Sequence, residues 1–113
     1  MELAQKANMY FDHKAPWKDA KDPDKQQRMA TTIHLCIRAS IRLALVSSPV
    51  MPTAAQKMWE LLGQKGEISN QLWSDVASVE LKTGLQLAQP EVVFQKVEDE
   101  QIANEIARLK TRL

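Results

Sequence analysis

Two histidines, His13 and His34, and one cysteine, Cys36, are the side chains of this sequence best suited to act as base, nucleophile or metal ligand. Neither histidine stands in a motif that supplies a carboxylate or serine partner, and no glycine-rich loop is present to cradle a phosphate. Catalysis by this chain alone is therefore not expected. Cys36 falls on the apolar stripe of a long helical segment, where an inert core residue is expected rather than a reactive thiol. Ligands at metal spacing do not cluster, so no metal site is expected. The constellation that stands out is aromatic and basic: Asn8-Met9-Tyr10-Phe11-Asp12, then Ala15-Pro16-Trp17, flanked by Lys14, Lys18 and Lys21. Lysines so placed can meet phosphates, although a solvated lysine face is the commoner arrangement.

The elements that must position this cluster are helices. Leu3, Ala7, Tyr10 and Phe11 share one helical face, with no N-cap before them, so the first helix looks entered midway. Pro16 fixes its own φ and discourages helical geometry in Ala15, which predicts a stop there and a short new helix after it. Asp22 is placed to cap, and Pro23 to open, the longest element, predicted from residue 23 to about residue 48. Met29, Ile33, Cys36, Ile37, Ile41 and Ala44 form its stripe, widened by Leu35, Leu43, Leu45 and Val46, as expected of a central bundle helix. His34, Arg38 and Arg42 recur every four residues and read as a polar outer stripe. Pro49 and Pro52 end the long helix. Ala55, Met58, Trp59 and Leu62 then make another apolar face, closed by Gly63.

Beyond Gly66 the signal weakens. Gln71 to Leu81 suits either a poor helix or irregular packing, with Trp73, like Trp59, expected in the core. The segments 85–87 and 92–97 are β-prone, giving a short irregular or hairpin-like excursion that reads better as a surface strap than as a sheet. Asp99 is expected to cap a last helix with Ile102, Ile106, Leu109 and Leu113 on a narrow stripe. The fold class is thus all-α, with residues 1–97 as a partial bundle and 98–113 as a C-terminal helix.

Composition bounds the reading. The 113 residues suit one domain, too small to include a nucleotide-binding sheet as well. The 15 basic and 14 acidic residues nearly cancel, so bulk charge announces no nucleic-acid partner. Arg38, Arg42, Lys57 and Lys65 face only Glu60 between residues 31 and 66, whereas acids dominate from Glu67 to Glu100. An anionic partner is therefore expected on the first half. A lone cysteine implies a reducing, cytoplasmic setting, and no membrane-spanning run or secretion signal is read in the sequence.

The ordered motifs resemble those of methionyl-tRNA synthetases over almost the whole chain. Asn8, Tyr10, Asp12, Pro16 and Trp17 match that family's Asn-x-Tyr-x-Asp-x-x-x-Pro-Trp segment without a gap. Pro49-Val50-Met51-Pro52 is similar to its Pro-x-x-Pro break, Trp73 to its tryptophan before Gly84, and Phe94-Gln95-Lys96-Val97-Glu98 to its closing Leu-Phe-x-Lys-Ile-Glu. Val93 replaces the commoner leucine, and His13 stands where an acid is frequent.

The resemblance implies a piece of a class I synthetase's anticodon-binding helical domain that recognises methionine tRNA and performs no chemistry itself. It implies that Trp17 stacks on an anticodon base and that Pro16 shapes the surface beside it. Unstacked loop bases are commonly held on aromatic faces in this way. Asn8, Lys14 and Lys18 complete the candidate anticodon-binding set, with Asn8 also suited to a cap or turn. ATP and any zinc would belong to a catalytic region outside this chain. The base-reading asparagine and arginine would lie upstream, leaving weak and poorly selective tRNA binding here. The last helix would pack on the catalytic domain or, uncovered, favour self-association. The rival readings are the anticodon-binding domain of another class I synthetase and a helical protein-interaction module without RNA contact.

Overall fold

The computed structural model describes residues 1–112. All regular structure among them is helical: α1 (Glu2–Lys14), α2 (Pro16–Asp19), α3 (Gln26–Ser47), α4 (Pro52–Leu61), α5 (Asp75–Ser78) and α6 (Asp99–Arg112), with 3-10 turns at Pro23–Lys25 and Ile68–Asn70. As predicted, α1 stops at Ala15 and Asp22 caps the entry toward the long helix, but it caps the 3-10 turn Pro23–Lys25, and α3 proper starts at Gln26, three residues later than expected. Pro52, expected to help end that helix, instead opens α4. The cap is explicit, for the Asp24 N–H donates to Asp22 Oδ1 at 3.1 Å. Lys25 Nζ lies 3.1 Å from Asp22 Oδ2. Lys25, and then the Asp24 N–H, hold the Asp22 carboxyl below the ordinary carboxylate range.

The long helix α3 is the spine on which α1, α2, α4 and α5 pack. Ile41, Ala44 and Leu45 of α3 meet Ala55 and Trp59 of α4 and Ile68 of the second 3-10 turn in one buried cluster. The Trp59 indole N–H donates to the Lys65 carbonyl at 3.2 Å, so this large ring is buried with its polar atom satisfied. Burial of the predicted stripe is confined to its C-terminal half, because Ile33 and Leu35 remain about two-fifths exposed. Cys36 is partly buried, and burial pushes its thiol up from the ordinary value, which disfavours a reactive thiolate. The sequence reading that no segment is apolar enough to cross a membrane is corrected: Pro23–Ser47 is long and apolar enough. In this fold four other helices pack on that segment.

Two arginines overturn the reading of His34, Arg38 and Arg42 as an outer stripe. Arg38 Nε donates to the Val79 carbonyl at 3.0 Å and an Arg42 Nη to the Ala77 carbonyl at 3.1 Å. They tie the segment around α5 onto α3, satisfying carbonyls that so short a helix leaves unpaired. Lys57 donates to the Val92 carbonyl and pairs with Glu91. Three of the four cations expected to draw an anionic partner therefore hold the chain's own backbone. Trp73, expected in the core, is 64% exposed.

No strand forms among the described residues. The β-prone stretches lie as an extended strap, with the Ala88 N–H donating to the Leu61 carbonyl at 3.2 Å. Beside this strap α4 ends at Gly63, whose φ is +70°. Its N–H donates to the Glu60 carbonyl and the Gln64 N–H to the Trp59 carbonyl, the paired bonds of a Schellman end. A β-carbon at Gly63 would lie 2.4 Å from the Gln86 carbonyl oxygen, whereas at Gly66 it would meet open space. Gly63→Ala is expected to cost about 2 kcal/mol or more, through left-handed strain plus displacement of the strap, against about 1 kcal/mol for Gly66→Ala. Urea unfolding of the two variants checks the order; equal costs would mean that the strap contact contributes nothing.

The last helix, α6, is exposed along its described length. Its first turn is secured by Gln101 Oε1, which accepts from the Glu98 N–H at 3.0 Å. Asp99 therefore lies inside the first turn rather than capping it, a correction of one residue. Ile102, Ile106 and Leu109 are about half exposed; Leu113, assigned to the same stripe, lies outside the described residues. The radius of gyration is 18.1 Å and the longest extent 64 Å, where about 13 Å is usual for a compact domain of this length.

Candidate nucleic-acid interface

The aromatic cluster is built by a reversal of the chain at Ala15. The Ala15 N–H donates to the Phe11 carbonyl at 3.0 Å, and its φ and ψ are 46° and 58°. It is the only non-glycine residue with positive φ among those described. That left-handed geometry costs about 1 kcal/mol for an alanine. It turns α2 back so that the Trp17 ring lies against Phe11, centroids 5.5 Å apart and planes inclined at 58°. Tilted pairs of this kind complement the aromatic quadrupoles. Pro16 is buried while Trp17 keeps 49% of its surface exposed. The proline thus anchors the turn, and the indole offers a face to solvent.

The remaining candidates divide. Lys18, next to Trp17, is exposed. Lys14 Nζ sits 5.7 Å from the Tyr10 ring centroid, within cation–π range, so it is engaged with its own helix. Asn8 is exposed one helical turn before Phe11 and borders a groove between α1 and α3 with Ala4, Ala7, Phe11, Cys36, Ser40 and Leu43. It makes no side-chain hydrogen bond to another described residue, so the cap or turn role considered for it is absent. Among the described residues no three His, Cys, Asp or Glu side chains come together as metal ligands.

Spacing alone missed Asp19, two residues after Trp17, and its partner Arg28. Asp19 is 5% exposed, and Arg28 Nε lies 3.1 Å from its Oδ2, an ion pair whose N–H does not point along a hydrogen bond. Thr32, four residues after Arg28 and hence on the same face of α3, is also buried and donates to the Arg28 carbonyl at 3.0 Å. No periodic signal links Asp19 to Arg28, because they stand on different elements and meet only when α2 packs on α3.

Comparison with known proteins matches residues 3–112 to the family model described as the anticodon binding domain of methionyl tRNA ligase. The chain belongs to this family. It is 40% identical over 110 residues to a methionine–tRNA ligase of Protochlamydia amoebophila, covering 97% of this chain and 16% of that protein. It is 37% identical over 102 residues to the enzyme of Pyrococcus horikoshii, covering 90% of this chain and 13% of the relative. With the enzyme of Chlorobaculum tepidum it shares 34% over 122 residues, covering the whole chain and 17% of the relative. The chain therefore spans about a sixth of the length of these methionyl-tRNA ligases. No solved structure matches it significantly. The family assignment and the all-helical fold agree with the motif reading, and they favour it over another class I synthetase or a general interaction module.

Proposed function

We propose that this anticodon-binding domain contributes recognition of the methionine tRNA anticodon loop to an ATP-dependent methionine–tRNA ligase. The observation that carries the reading is the half-exposed Trp17 indole, braced by Phe11 and presented by a strained turn at Ala15 and a buried Pro16. A braced aromatic face loses little entropy on receiving a base, which suits an unstacked loop nucleotide. Trp17 is the stacking residue and Pro16 its positioner. Lys18 is the phosphate contact, with Lys14 reaching phosphate only if it leaves Tyr10, and Asn8 is the outlying polar contact. ATP, methionine and any zinc act in a catalytic region outside this chain, in a cytoplasmic enzyme.

The test is titration of the chain with a methionine-tRNA anticodon stem-loop, read by tryptophan fluorescence. A Trp73→Phe background removes the other exposed indole, leaving Trp17 as the accessible reporter beside the buried Trp59. Quenching that weakens when the anticodon is changed supports the reading. An equal or absent response to both loops counts against discrimination by these residues.

On the same reading residues 1–97 form the recognition bundle and residues 98–113 dock on the catalytic domain. Separated from that domain, the stripe of Ile102, Ile106 and Leu109 favours self-association. Sedimentation velocity is expected to show a concentration-dependent increase in the sedimentation coefficient that Ile106→Glu abolishes. A monomer at every concentration would remove this part of the proposal.

A further inference from the structure

Asp19 is the only charged residue buried among those described, and it lies two residues beyond Trp17 on the same single turn of helix. A buried carboxylate persists only if it is paired, and its pairing residue is Arg28 at 3.1 Å, whose side chain is 56% exposed. One turn cannot hold its own direction, because nucleation outweighs the few hydrogen bonds it makes. The backbone bonds of α2 are local: Lys18 to the Ala15 carbonyl and Ala20 to the Pro16 carbonyl. Its orientation therefore depends on side-chain anchors. Pro16 and the Phe11–Trp17 stack are apolar anchors, less directional than a charged tie. The ion pair differs from both in being charged, and with the bond from Gln26 Nε2 to the Ala20 carbonyl at 3.3 Å it is a polar tie of α2 to the spine α3.

We infer that Asp19 is a positioning residue: by holding Arg28 it sets the angle of α2 on α3 and thereby the direction in which the Trp17 indole faces. This rests on the anticodon-binding reading, in which Trp17 receives the base. Asp19 need not touch RNA, and its negative charge would oppose a phosphate placed directly on it.

The test uses the 113-residue chain labelled with 5-fluorotryptophan, whose three indoles give separate 19F signals assigned by single Trp→Phe variants. Asp19→Asn keeps the side-chain size, and Arg28, already half in water, is solvated without its partner. The Trp17 signal is expected to shift while those of Trp59 and Trp73 stay in place. Stem-loop affinity is expected to fall about three- to tenfold, part of the loss available from removing one stacked base. Arg28→Met, a change at a half-exposed site, should move the same signal, and the double variant should bind no worse than either single one.

An unmoved Trp17 signal in both variants overturns the inference. So does unchanged or tighter binding by Asp19→Asn, which would make Asp19 merely a repelling charge. Additive losses with an unmoved signal in Arg28→Met would assign Arg28 a direct phosphate contact instead. Trp17→Ala separates this inference from its premise. If that variant binds as tightly as the parent, the anticodon reading fails; if it alone binds weakly, only the role of Asp19 fails.

Discussion

Replacing Trp17 by alanine is expected to weaken binding of the methionine anticodon stem-loop about tenfold or more, while the helical content and melting temperature change little. Stacking one base on an aromatic ring contributes about 1–3 kcal/mol, and about 1.4 kcal/mol is a factor of ten. The fold should tolerate the change because nearly half of the indole already faces solvent and the buried anchor of the turn is Pro16. The lost contact is mainly the tilted pair with Phe11, worth about 0.5–1.5 kcal/mol. Fluorescence or calorimetric titration measures the first quantity and circular dichroism the second. A variant that melts like the parent and binds like the parent would remove Trp17 from recognition. One that loses binding only in proportion to lost folding would reduce the residue to a structural lid.

Trp59→Ala is expected to have the largest effect on stability, about 3–5 kcal/mol. Trp59 is 5% exposed, lies in the buried cluster with Ile41, Ala44, Leu45, Ala55 and Ile68, and donates its indole N–H to Lys65. Removing it empties the junction of α3 with α4 and leaves the Lys65 carbonyl without its donor. Domains of this size commonly hold about 5–15 kcal/mol in total, so the variant should be partly unfolded near physiological temperature. A drop in melting midpoint of about 15 °C or more is expected. Trp73→Ala, at a site 64% exposed, should stay within about 0.5 kcal/mol. Equal losses in the two variants would mean that the α3–α4 junction is not the stability core.

The two tryptophans show where sequence pattern is sufficient and where it fails. Trp59 belongs to an i, i+3, i+4, i+7 face with Ala55, Met58 and Leu62, so its inward direction follows from helical geometry alone. Trp73 precedes α5, one turn long, where no period operates and composition gives no direction. The same limit explains Asp99, misplaced by one residue because a Gln101 side chain supplied the cap contact.

Arg38 and Arg42 carry the lesson further. Their four-residue spacing puts them on one face of α3, but spacing does not say what covers that face. The carbonyls of Ala77 and Val79 cover it, brought from a segment whose course is set by tertiary packing. Asp19 is the sharper case, an acid in a lysine-rich stretch that reads as solvated and is instead nearly the most buried polar group described.

By itself the sequence determined the all-helical class, the breaks at Pro16, Pro23 and Pro52, the closing Gly63 and the motif order that marks the family. These depend on dihedral limits, capping and periodicity, which act within a few residues of each other. Only the tertiary structure decided that Trp17 stands half exposed against Phe11, that Asp19 is buried against Arg28, and that α3 holds the segment around α5 by its arginines. Those outcomes depend on which surfaces meet across the chain, where burial and ion pairing are decided by groups far apart in sequence.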